Sequence, residues 1–395
     1  MPAKSMRRDA EGSPSPGDVA AVSFSVEILT GRDAFLALKP EWDALFARAG
    51  LPQQLFQRHA FLRHWCDHYL PAGDRLCLVV GRESGRLVML WPLERRRRLG
   101  LELVRLMGAP VAQFGDVLVE PGPRREHWLE RGWEALRRHG IDLVELRLVR
   151  ADAALAHCGR LALVSPVVNQ EAPFADLALR VAPDGPSLAY PARDRSNYRR
   201  RLRRLAERGE ITFAHQEPGP QAGALAEQAV AMKRDSLVQH GIVAPTVSNP
   251  RFGHFFAALA AEPSEDTGLR ISVVTCDDRP VGIDLSFDCK GRSFGHVIAS
   301  DPAFEREGLG RVLIHHAFAS ARARGNAIFD LLAPADPYKR EHADGAVPVR
   351  DFTVPLSWRG QLACDLALPQ LRPTLKAIVK RLPAGWVQRF AGSGT

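Results

Sequence analysis

Two closely spaced glycines at the start of a helical pattern are the best candidate for a ligand-binding turn. Gly308 and Gly310 follow an apolar run over 293–300 and precede residues with helical periodicity. Glycine permits positive φ, and uncovered N–H groups at the first turn of a helix attract anions such as a pyrophosphate. The alternative is a glycine-rich turn without a ligand. The predicted anion-binding residues are Arg306, Glu307, Gly308, Leu309, Gly310 and Arg311.

An arginine-rich helical segment lies upstream of this turn. Eight arginines fall within 193–208, and Tyr198, Leu202 and Leu205 recur on one face at helical spacing. A positive surface of this kind could bind nucleic-acid phosphates. A solvated charged face explains the same composition without a ligand.

Polar positions in the strands around the glycines are further candidates. Asp284 lies in the alternating run 281–289, which predicts a strand with one buried and one polar face. His296 belongs to the strand that leads into the turn, and Asp330 lies near the end of a strand predicted at 327–332. A half-buried sheet needs no function to explain its polar face, so a structural role for each residue remains open.

The elements that would position these residues form a repeated pattern. Three antiparallel strands over 271–300 lead into the glycine turn, and the helix after it ends at Gly325 before another strand. Helix, glycine and strand repeat the order seen over 128–148, which indicates an internal duplication. The matching junction at 120–123 reads Glu-Pro-Gly-Pro, whose prolines lack the N–H donors of an anion cradle.

Length and composition limit the number of domains, the kinds of partner and the cellular location that can be expected. The 395 residues predict two domains, and the net charge of +8 favours anionic partners. The six cysteines show neither C-x-x-C pairs nor a histidine spacing typical of zinc, so we expect no metal and a reducing, cytoplasmic location. No apolar run is long enough to cross a bilayer, and the first residues lack the apolar region of a signal peptide.

The glycine turn resembles the acyl-CoA pyrophosphate loop of the GNAT superfamily of N-acetyltransferases. It reads x-x-Gly-x-Gly between strand and helix, and Glu305 stands where that family usually has Gln or Arg. With the segments 196–205 and 336–340, the order of motifs is similar to tandem-GNAT proteins related to the cellulose-biosynthesis acyltransferases (CelD/BcsL-like). A more remote similarity is to the FemAB aminoacyl transferases.

This resemblance implies a role for each candidate residue. The donor would be acetyl-CoA or another acyl-CoA. Tyr338 would act as the acid, Lys339 would neutralise the oxyanion or the donor's phosphates, and Asp330 would serve as base or orient the acceptor. The arginine-rich helix would border an interdomain cleft and attract an anionic acceptor. The residues implied to pair with the pantetheine are Val297, Ile298 and Ala299. The candidate acceptor-binding residues are Tyr198, Arg199, Asp284 and His296.

The expected fold is α+β, with two tandem GNAT-like domains that each contain a mixed, largely antiparallel twisted sheet flanked by helices. We expect a disordered leader at 1–21, an acceptor-side GNAT-like domain without a CoA loop at 22–182 and an acyl-CoA-binding domain at 183–360. A basic amphipathic tail would occupy 361–395. It could cap the domains, dock a partner or make peripheral membrane contact.

The function implied is N- or O-acyl transfer, most simply of acetyl, to an amine or hydroxyl of a sugar, polysaccharide precursor or lipid-linked intermediate. The resemblance places this reaction in cellulose or exopolysaccharide biosynthesis. Two alternatives stay open. One is a FemAB-like transferase that uses aminoacyl-tRNA, and the other is a catalytically inactive GNAT-fold protein that serves as a binding module or scaffold.

Overall fold

The computed structural model describes residues 23–70, 75–180 and 192–367. The predicted leader 1–21, and the predicted tail beyond residue 367, lie outside the described residues. The strands are Phe24–Leu29 (β1), Leu76–Glu83 (β2), Arg86–Arg98 (β3), Leu101–Leu106 (β4), Leu118–Val119 (β5), Leu143–Arg150 (β6), Val168–Asp176 (β7), Ile211–Gln216 (β8), Leu269–Cys276 (β9), Arg279–Cys289 (β10), Arg292–Ser300 (β11), Ile328–Asp330 (β12) and Gly345–Pro355 (β13).

The helices alternate with these strands, and none of the helices in the described residues is long and apolar enough to cross a membrane. The α-helices are Arg32–Ala37 (α1), Lys39–Ala49 (α2), His59–Tyr69 (α3), Arg125–Arg138 (α4), Gly159–Ala162 (α5), Ala192–Ala206 (α6), Pro220–Gln239 (α7), Pro245–Ser248 (α8), Pro250–Ala261 (α9), Ser264–Thr267 (α10), Leu309–Ala323 (α11), Pro337–Arg340 (α12) and Trp358–Ala367 (α13). Short 3-10 helices cover Pro52–Gln57, Leu155–His157 and Pro302–Phe304.

All the described strands belong to one mixed sheet. Its order is β1-β2-β3-β4-β6-β13-β7-β12-β11-β10-β9-β8, and β5 pairs with β3 off this path. β4 with β6 and β11 with β12 are parallel, and the other pairings are antiparallel. The predicted α+β class is therefore confirmed.

The two halves of the chain exchange a strand at the centre of this sheet. β7 follows β6 in the chain but pairs with β12, and β13 follows β12 but pairs with β6. β7 and β13 also pair with each other. Each half thus completes the sheet of the other. The domain boundaries at 182 and 360 stay predictions.

The predicted duplication of helix, glycine and strand is confirmed. α4 is followed by Gly140 (φ 79°) and then β6, and α11 is followed by Gly325 (φ 87°) and then β12. Both glycines adopt the left-handed conformation that a residue after the last helical turn requires, which an L-residue adopts only at a cost. The repeat makes the β3-β4-α4-β6 and β10-β11-α11-β12 units equivalent.

The alternation over 281–289 predicted β10 correctly, but the polar face is not exposed. Asp284 and Ser286 are buried, at 2% and 0% exposure. They share the face of β10 on which Gly282 lies against Leu313 of α11, where an added Cβ would be 3.5 Å from Leu313 Cδ2. Helix α11 therefore covers the side that the sequence pattern assigned to solvent.

The largest hydrophobic core joins the two halves. Phe56 contacts Phe287 of β10 and Phe294 of β11 edge-on, with ring centroids 6.3 and 6.1 Å apart. Phe61 of α3 contacts Phe255 of α9 in the same way, at 5.3 Å. Edge-on aromatic pairs add about 0.5–1.5 kcal/mol each to the burial of their area. These contacts fix β11 against the first half of the chain.

Candidate functional site

A slot opens between β11 and β12 because these parallel strands pair over a short stretch. The ladder begins at Arg292 and ends at Phe294, which is paired with Asp330. Beyond Phe294, β11 continues while β12 ends, so the edge of β11 over 295–300 faces no strand among the described residues. Unpaired backbone groups on a strand edge can bind an extended ligand.

The residues predicted to pair with a pantetheine lie on this edge. Val297 and Ala299 bury their side chains in the core that joins the two halves, and Ile298 packs on the opposite face of the sheet. Their side chains are structural. What they offer to a ligand is the backbone edge that faces the slot.

The glycine turn directly follows β11, with Gly308 at its tip in the left-handed conformation (φ 82°, ψ 33°). Two amides of the predicted turn are already used: Gly308 donates to Glu305 O (3.0 Å) and Arg311 donates to Gly308 O (3.1 Å). The amides of Leu309 and Gly310 have no hydrogen-bond partner among the described residues, and Gly310 is partly exposed while Leu309 is buried. The cradle is thus narrower than predicted, with two amides at the start of α11.

Helix α6 lies against this turn and brings positive charge to it. The side chain of Arg201 packs on Gly308, since a Cβ added to Gly308 would lie 2.8 Å from Arg201 Cδ. Burial lowers the pKa of Arg201, and the charges of Arg311, Arg200 and Arg204 lower it further. A bound diphosphate would relieve this repulsion.

Two residues predicted to bind ligands hold α6 in place instead. Glu307 Oε1 accepts a hydrogen bond from Arg208 Nη1 (2.7 Å), just beyond the end of α6. The ring of Tyr198 stacks on that of His315 in α11, with centroids 5.1 Å apart and planes at 15°. Because both contacts join α6 to the turn or to α11, their effect on a ligand is indirect: they position Arg201.

The predicted catalytic pair Tyr338 and Lys339 lies on α12, at the same edge of the sheet. β11 and β12 are parallel, so their carboxyl ends share this edge; the glycine turn follows β11 and α12 comes after β12. Arg311 Nη2 pairs with Glu341 Oε2 (2.6 Å), which links the first turn of α11 to the residue after α12. Arg306 is exposed on the turn.

Lys339 is buried, and its ammonium group is tightly held. Nζ donates to the carbonyl oxygens of Leu332 (3.1 Å) and Pro334 (3.0 Å) and lies 3.7 Å from Asp336 Oδ2. Burial lowers the pKa of Lys339 to about 8. Burial also lowers the pKa of Lys233 on α7, and Asp336 opposes the shift at both lysines. The site therefore stabilises negative charge.

Tyr338 combines an enclosed position with access to solvent. Its side chain is 41% exposed, yet the protein that surrounds it raises the pKa of Tyr338 to about 12, with a smaller contribution from Asp336. The phenol stays protonated at neutral pH. It can act as a hydrogen-bond donor or as a general acid.

His296 connects the slot strand to the first half of the chain. Its Nε2 lies 2.8 Å from the carbonyl oxygen of Val111, and a carbonyl only accepts, so Nε2 carries the hydrogen. Nδ1 is buried without a partner among the described residues. Burial lowers the pKa of His296 to about 4, so the ring is neutral. Its predicted contact with the acceptor stays a prediction.

Asp330 does not offer the free carboxylate that a base requires. Oδ2 accepts from Nη1 of Arg150 (2.6 Å), and both side chains are fully buried. Oδ1 accepts from the amide of Leu332 (2.9 Å). Arg150 also binds both oxygens of Asp152, at 2.8 and 3.0 Å. Asp330 is therefore a structural residue that joins β12 to β6 through Arg150.

The Asp330→Asn variant is expected to lose about 2 kcal/mol of unfolding free energy, because a charge-assisted bond to a buried guanidinium is lost. Denaturant unfolding measures this change. Asp152→Asn is the matched control: Asp152 binds the same arginine but is 43% exposed, so we expect a smaller loss. Equal losses in the two variants would contradict the structural role of Asp330.

Asp284, predicted to bind the acceptor, does not lie in the slot. Ser286 Oγ donates to both of its carboxylate oxygens (2.7 and 2.9 Å), and burial under α11 raises the pKa of Asp284 to about 7. The prediction fails because the alternation of polar and apolar residues does not reveal which layer covers each face.

Arg199, also predicted to bind the acceptor, lies on the outer face of α6, away from Arg201. It lines an open groove of about 830 Å³. The other residues that line this groove are Arg195, Ser196, Leu202 and Arg203. The arginine-rich helix thus carries two distinct positive surfaces, one on the glycine turn and one facing outward.

Three residues of the site escaped the sequence analysis. Lys233 gives a signal, because it continues the buried face of α7 at helical spacing from Ala226 and Val230, where a lysine is unusual. Arg201 cannot be told apart from its arginine neighbours by sequence. Arg150 ends β6, two residues beyond the sequence pattern over 128–148, and the contact with Asp330 arises only from the pairing of distant strands.

One group of potential metal ligands lies far from the slot in sequence. Ligand atoms of Glu126, Glu130 and Cys158 lie within 4.8 Å of one another. Glu126 Oε1 already accepts from the amide of Gly159 (2.8 Å), and Glu130 pairs with Arg160 (3.2 Å). The cluster is explained by contacts within the protein.

Comparisons with known proteins agree with this architecture. Residues 192–340 match the family described as "Acetyltransferase (GNAT) domain". No curated protein matches the sequence. Among solved structures, FemX is similar over 83% of this chain and 98% of its own, at 12% identity and a TM-score of 0.58.

Two further solved structures are similar to this chain at low identity. The C-terminal domain of a lysylphosphatidylglycerol synthetase from Agrobacterium fabrum matches over 85% of this chain and 95% of its own, at 12% identity and a TM-score of 0.50. A tandem GNAT protein from the clavulanic acid biosynthesis pathway matches over 84% and 99%, at 14% identity and a TM-score of 0.46. The family match confirms the predicted GNAT fold for residues 192–340.

Proposed function

We propose that the chain moves an acyl group from acyl-CoA to an amine or hydroxyl. The match of residues 192–340 to the GNAT acetyltransferase domain supports a transferase. One observation carries this proposal. Within the described residues, an unpaired strand edge, two amides without a partner at a helix start and Arg201, whose pKa is lowered by burial and by neighbouring arginines, lie together beside the slot. This combination fits a ligand with an extended amide-containing arm and a diphosphate.

In this proposal, Lys339 and Tyr338 act at successive steps of the reaction. The acceptor nucleophile attacks the thioester carbonyl, and Lys339, held as an ammonium by Leu332 and Pro334, neutralises the oxyanion that forms. When the carbon–sulfur bond breaks, Tyr338 donates its proton to the leaving thiolate. The acceptor nitrogen or oxygen loses its own proton to solvent, which leaves a neutral amide or ester, and solvent restores the proton of Tyr338, whose exposed position allows this exchange.

We further propose that the acceptor is a sugar, polysaccharide precursor or lipid-linked intermediate, as the resemblance to CelD/BcsL-like proteins implies. The acceptor would reach the slot from the side of His296, where the two halves of the chain meet. The first half would then form part of its binding surface, since the two prolines of its junction at 120–123 lack the N–H donors of an anion cradle.

A second candidate function is transfer from an aminoacyl-tRNA. The observation that favours it is the outer groove of α6, whose arginines could bind RNA phosphates. The two candidates use opposite faces of α6. Variants on the two faces therefore separate them.

We expect Arg201→Ala to weaken acetyl-CoA binding about tenfold, because a hydrogen bond or ion pair to a charged group contributes about 1.5 kcal/mol. Isothermal titration with acetyl-CoA measures the effect. Arg199→Ala is the matched control on the outer face and should leave acetyl-CoA binding unchanged. If Arg199→Ala instead abolishes binding of an aminoacylated RNA while acetyl-CoA binds to neither protein, the second candidate is correct.

A further inference from the structure

Within the part of the chain that the structure describes, helix α13 is fixed to the sheet by one face. A Cβ added to Gly360 would lie 2.1 Å from the carbonyl oxygen of Asp142, so the helix backbone rests directly on the chain there. Cys364 packs in a small core with Leu103 of β4 and Leu143 of β6. The opposite face of α13 is free to meet another surface.

That opposite face is apolar. Trp358, Leu362 and Leu366 recur at four-residue spacing, which places them in one stripe along the helix. Their exposed fractions are 75%, 51% and 68%. Leu99, at the tip of the turn between β3 and β4, is 93% exposed. These four residues form what we call the α13 surface.

A hydrogen bond holds the two parts of this surface together. Arg359, next to Trp358, donates through Nη2 to the carbonyl oxygen of Gly100, next to Leu99. The turn and the first residues of α13 are thus adjacent. Soluble monomers rarely leave a large apolar patch uncovered.

The surroundings of the α13 surface are basic. Arg97 and Arg98 are exposed directly before Leu99, and Arg359 remains 46% exposed. Asp365 lies beside the stripe and accepts from Gln361 (2.9 Å). The sequence after residue 367 has no acidic residue, and its basic residues are Arg372, Lys376, Lys380, Arg381 and Arg389.

We propose that the α13 surface docks on an anionic lipid leaflet. Trp358 would lie at the level of the headgroups, the leucines would enter the acyl boundary, and the arginines would bind lipid phosphates. The exposed arginines favour an anionic surface over two other occupants. The chain's own segment beyond 367 has basic and no acidic residues, and a second copy would present the same arginines. The inference is independent of which donor or acceptor the slot binds.

Co-sedimentation of the full chain with vesicles tests this docking. We expect binding to vesicles of phosphatidylcholine mixed with phosphatidylglycerol, little binding to phosphatidylcholine alone, and loss of binding at high salt. The double variant Trp358→Ser/Leu362→Ser should reduce the bound fraction by about tenfold or more, since two apolar insertions are removed. Its melting temperature should not change, because both side chains are exposed.

Leu163→Ser is the matched control, because Leu163 is 88% exposed on a different part of the surface. It should bind vesicles like the parent protein. Absence of binding, or binding that the double variant leaves intact, would overturn the proposal. A dimer in light scattering that the double variant dissociates would assign the α13 surface to a second copy and would also overturn it.

Discussion

Replacing Lys339 by methionine is expected to slow thiol release from acetyl-CoA by about 10²–10³-fold, as the loss of one oxyanion-stabilising group typically does. The reason is the position of Nζ: it is buried, held by two carbonyl oxygens and placed at the edge where β11 and β12 separate. The assay follows the thiol in the presence of a panel of amino sugars. The maximal rate should fall more than the affinity for acetyl-CoA.

Arg340→Met is the matched control for this variant. Arg340 is adjacent on α12 but exposed, where it pairs with Glu171 (2.8 Å). We expect its loss to change the rate less than about threefold, as for a surface ion pair. Equal rate losses in both variants would show that α12 acts only as a structural element.

The pH dependence of the same reaction distinguishes an ammonium from a base. With a pKa of about 8, Lys339 is charged below pH 8 and neutral above it. The ratio of the native rate to that of Lys339→Met should therefore fall as the pH rises through about 8. A ratio that rises through this range would mean that the neutral amine is the active form.

Replacing Gly308 by valine is expected to weaken acetyl-CoA binding about 100-fold. The loss follows if both free amides bind the diphosphate and each charge-assisted bond contributes about 1.5 kcal/mol. At φ 82° a β-branched residue is strained, and its Cβ would meet the side chain of Arg201. The variant should displace Arg201 and distort the turn that presents Leu309 and Gly310. Isothermal titration measures the affinity.

Gly291→Val separates backbone strain from the effect on the ligand. Gly291 has nearly the same backbone conformation (φ 77°) in the turn between β10 and β11, with no atom within 4 Å of an added Cβ. It should lose about 1–2 kcal/mol of stability, like Gly308→Val, yet bind acetyl-CoA normally. If both variants lost affinity for acetyl-CoA to the same degree, the glycine turn would not be part of the donor site.

Local patterns predicted most of the strands and helices, but they could not predict which strands pair. The strand over 281–289 and the ends of α4 and α11 are determined by residues close to one another in sequence. A local sequence pattern can therefore predict them. β13 was missed because it includes Pro348, and proline is uncommon inside a sheet. The exchange of β7 and β13 depends on contacts between distant segments, and it brings Arg150 to Asp330.

In the candidate site too, local features were predictable from the sequence and distant contacts were not. The position of the turn at Gly308 was predictable because two glycines stand between a strand and a helix pattern, whereas Tyr338 and Lys339 were named from the resemblance, and their roles stay predictions. The use of the Gly308 amide by Glu305 depends on the conformation of the turn, which residue types do not specify. The roles of Asp284 and Asp330 depend on burial and on partners far away in the chain, so a carboxylate in a strand predicted neither.

A crystal structure of the protein grown with acetyl-CoA tests the central claim most directly. We expect diphosphate oxygens about 2.9 Å from the amide nitrogens of Leu309 and Gly310, at ordinary hydrogen-bond distance. We also expect the pantetheine along the edge of β11 over 295–300 and the thioester facing Lys339. Acetyl-CoA bound elsewhere, with the slot between β11 and β12 empty, would contradict it.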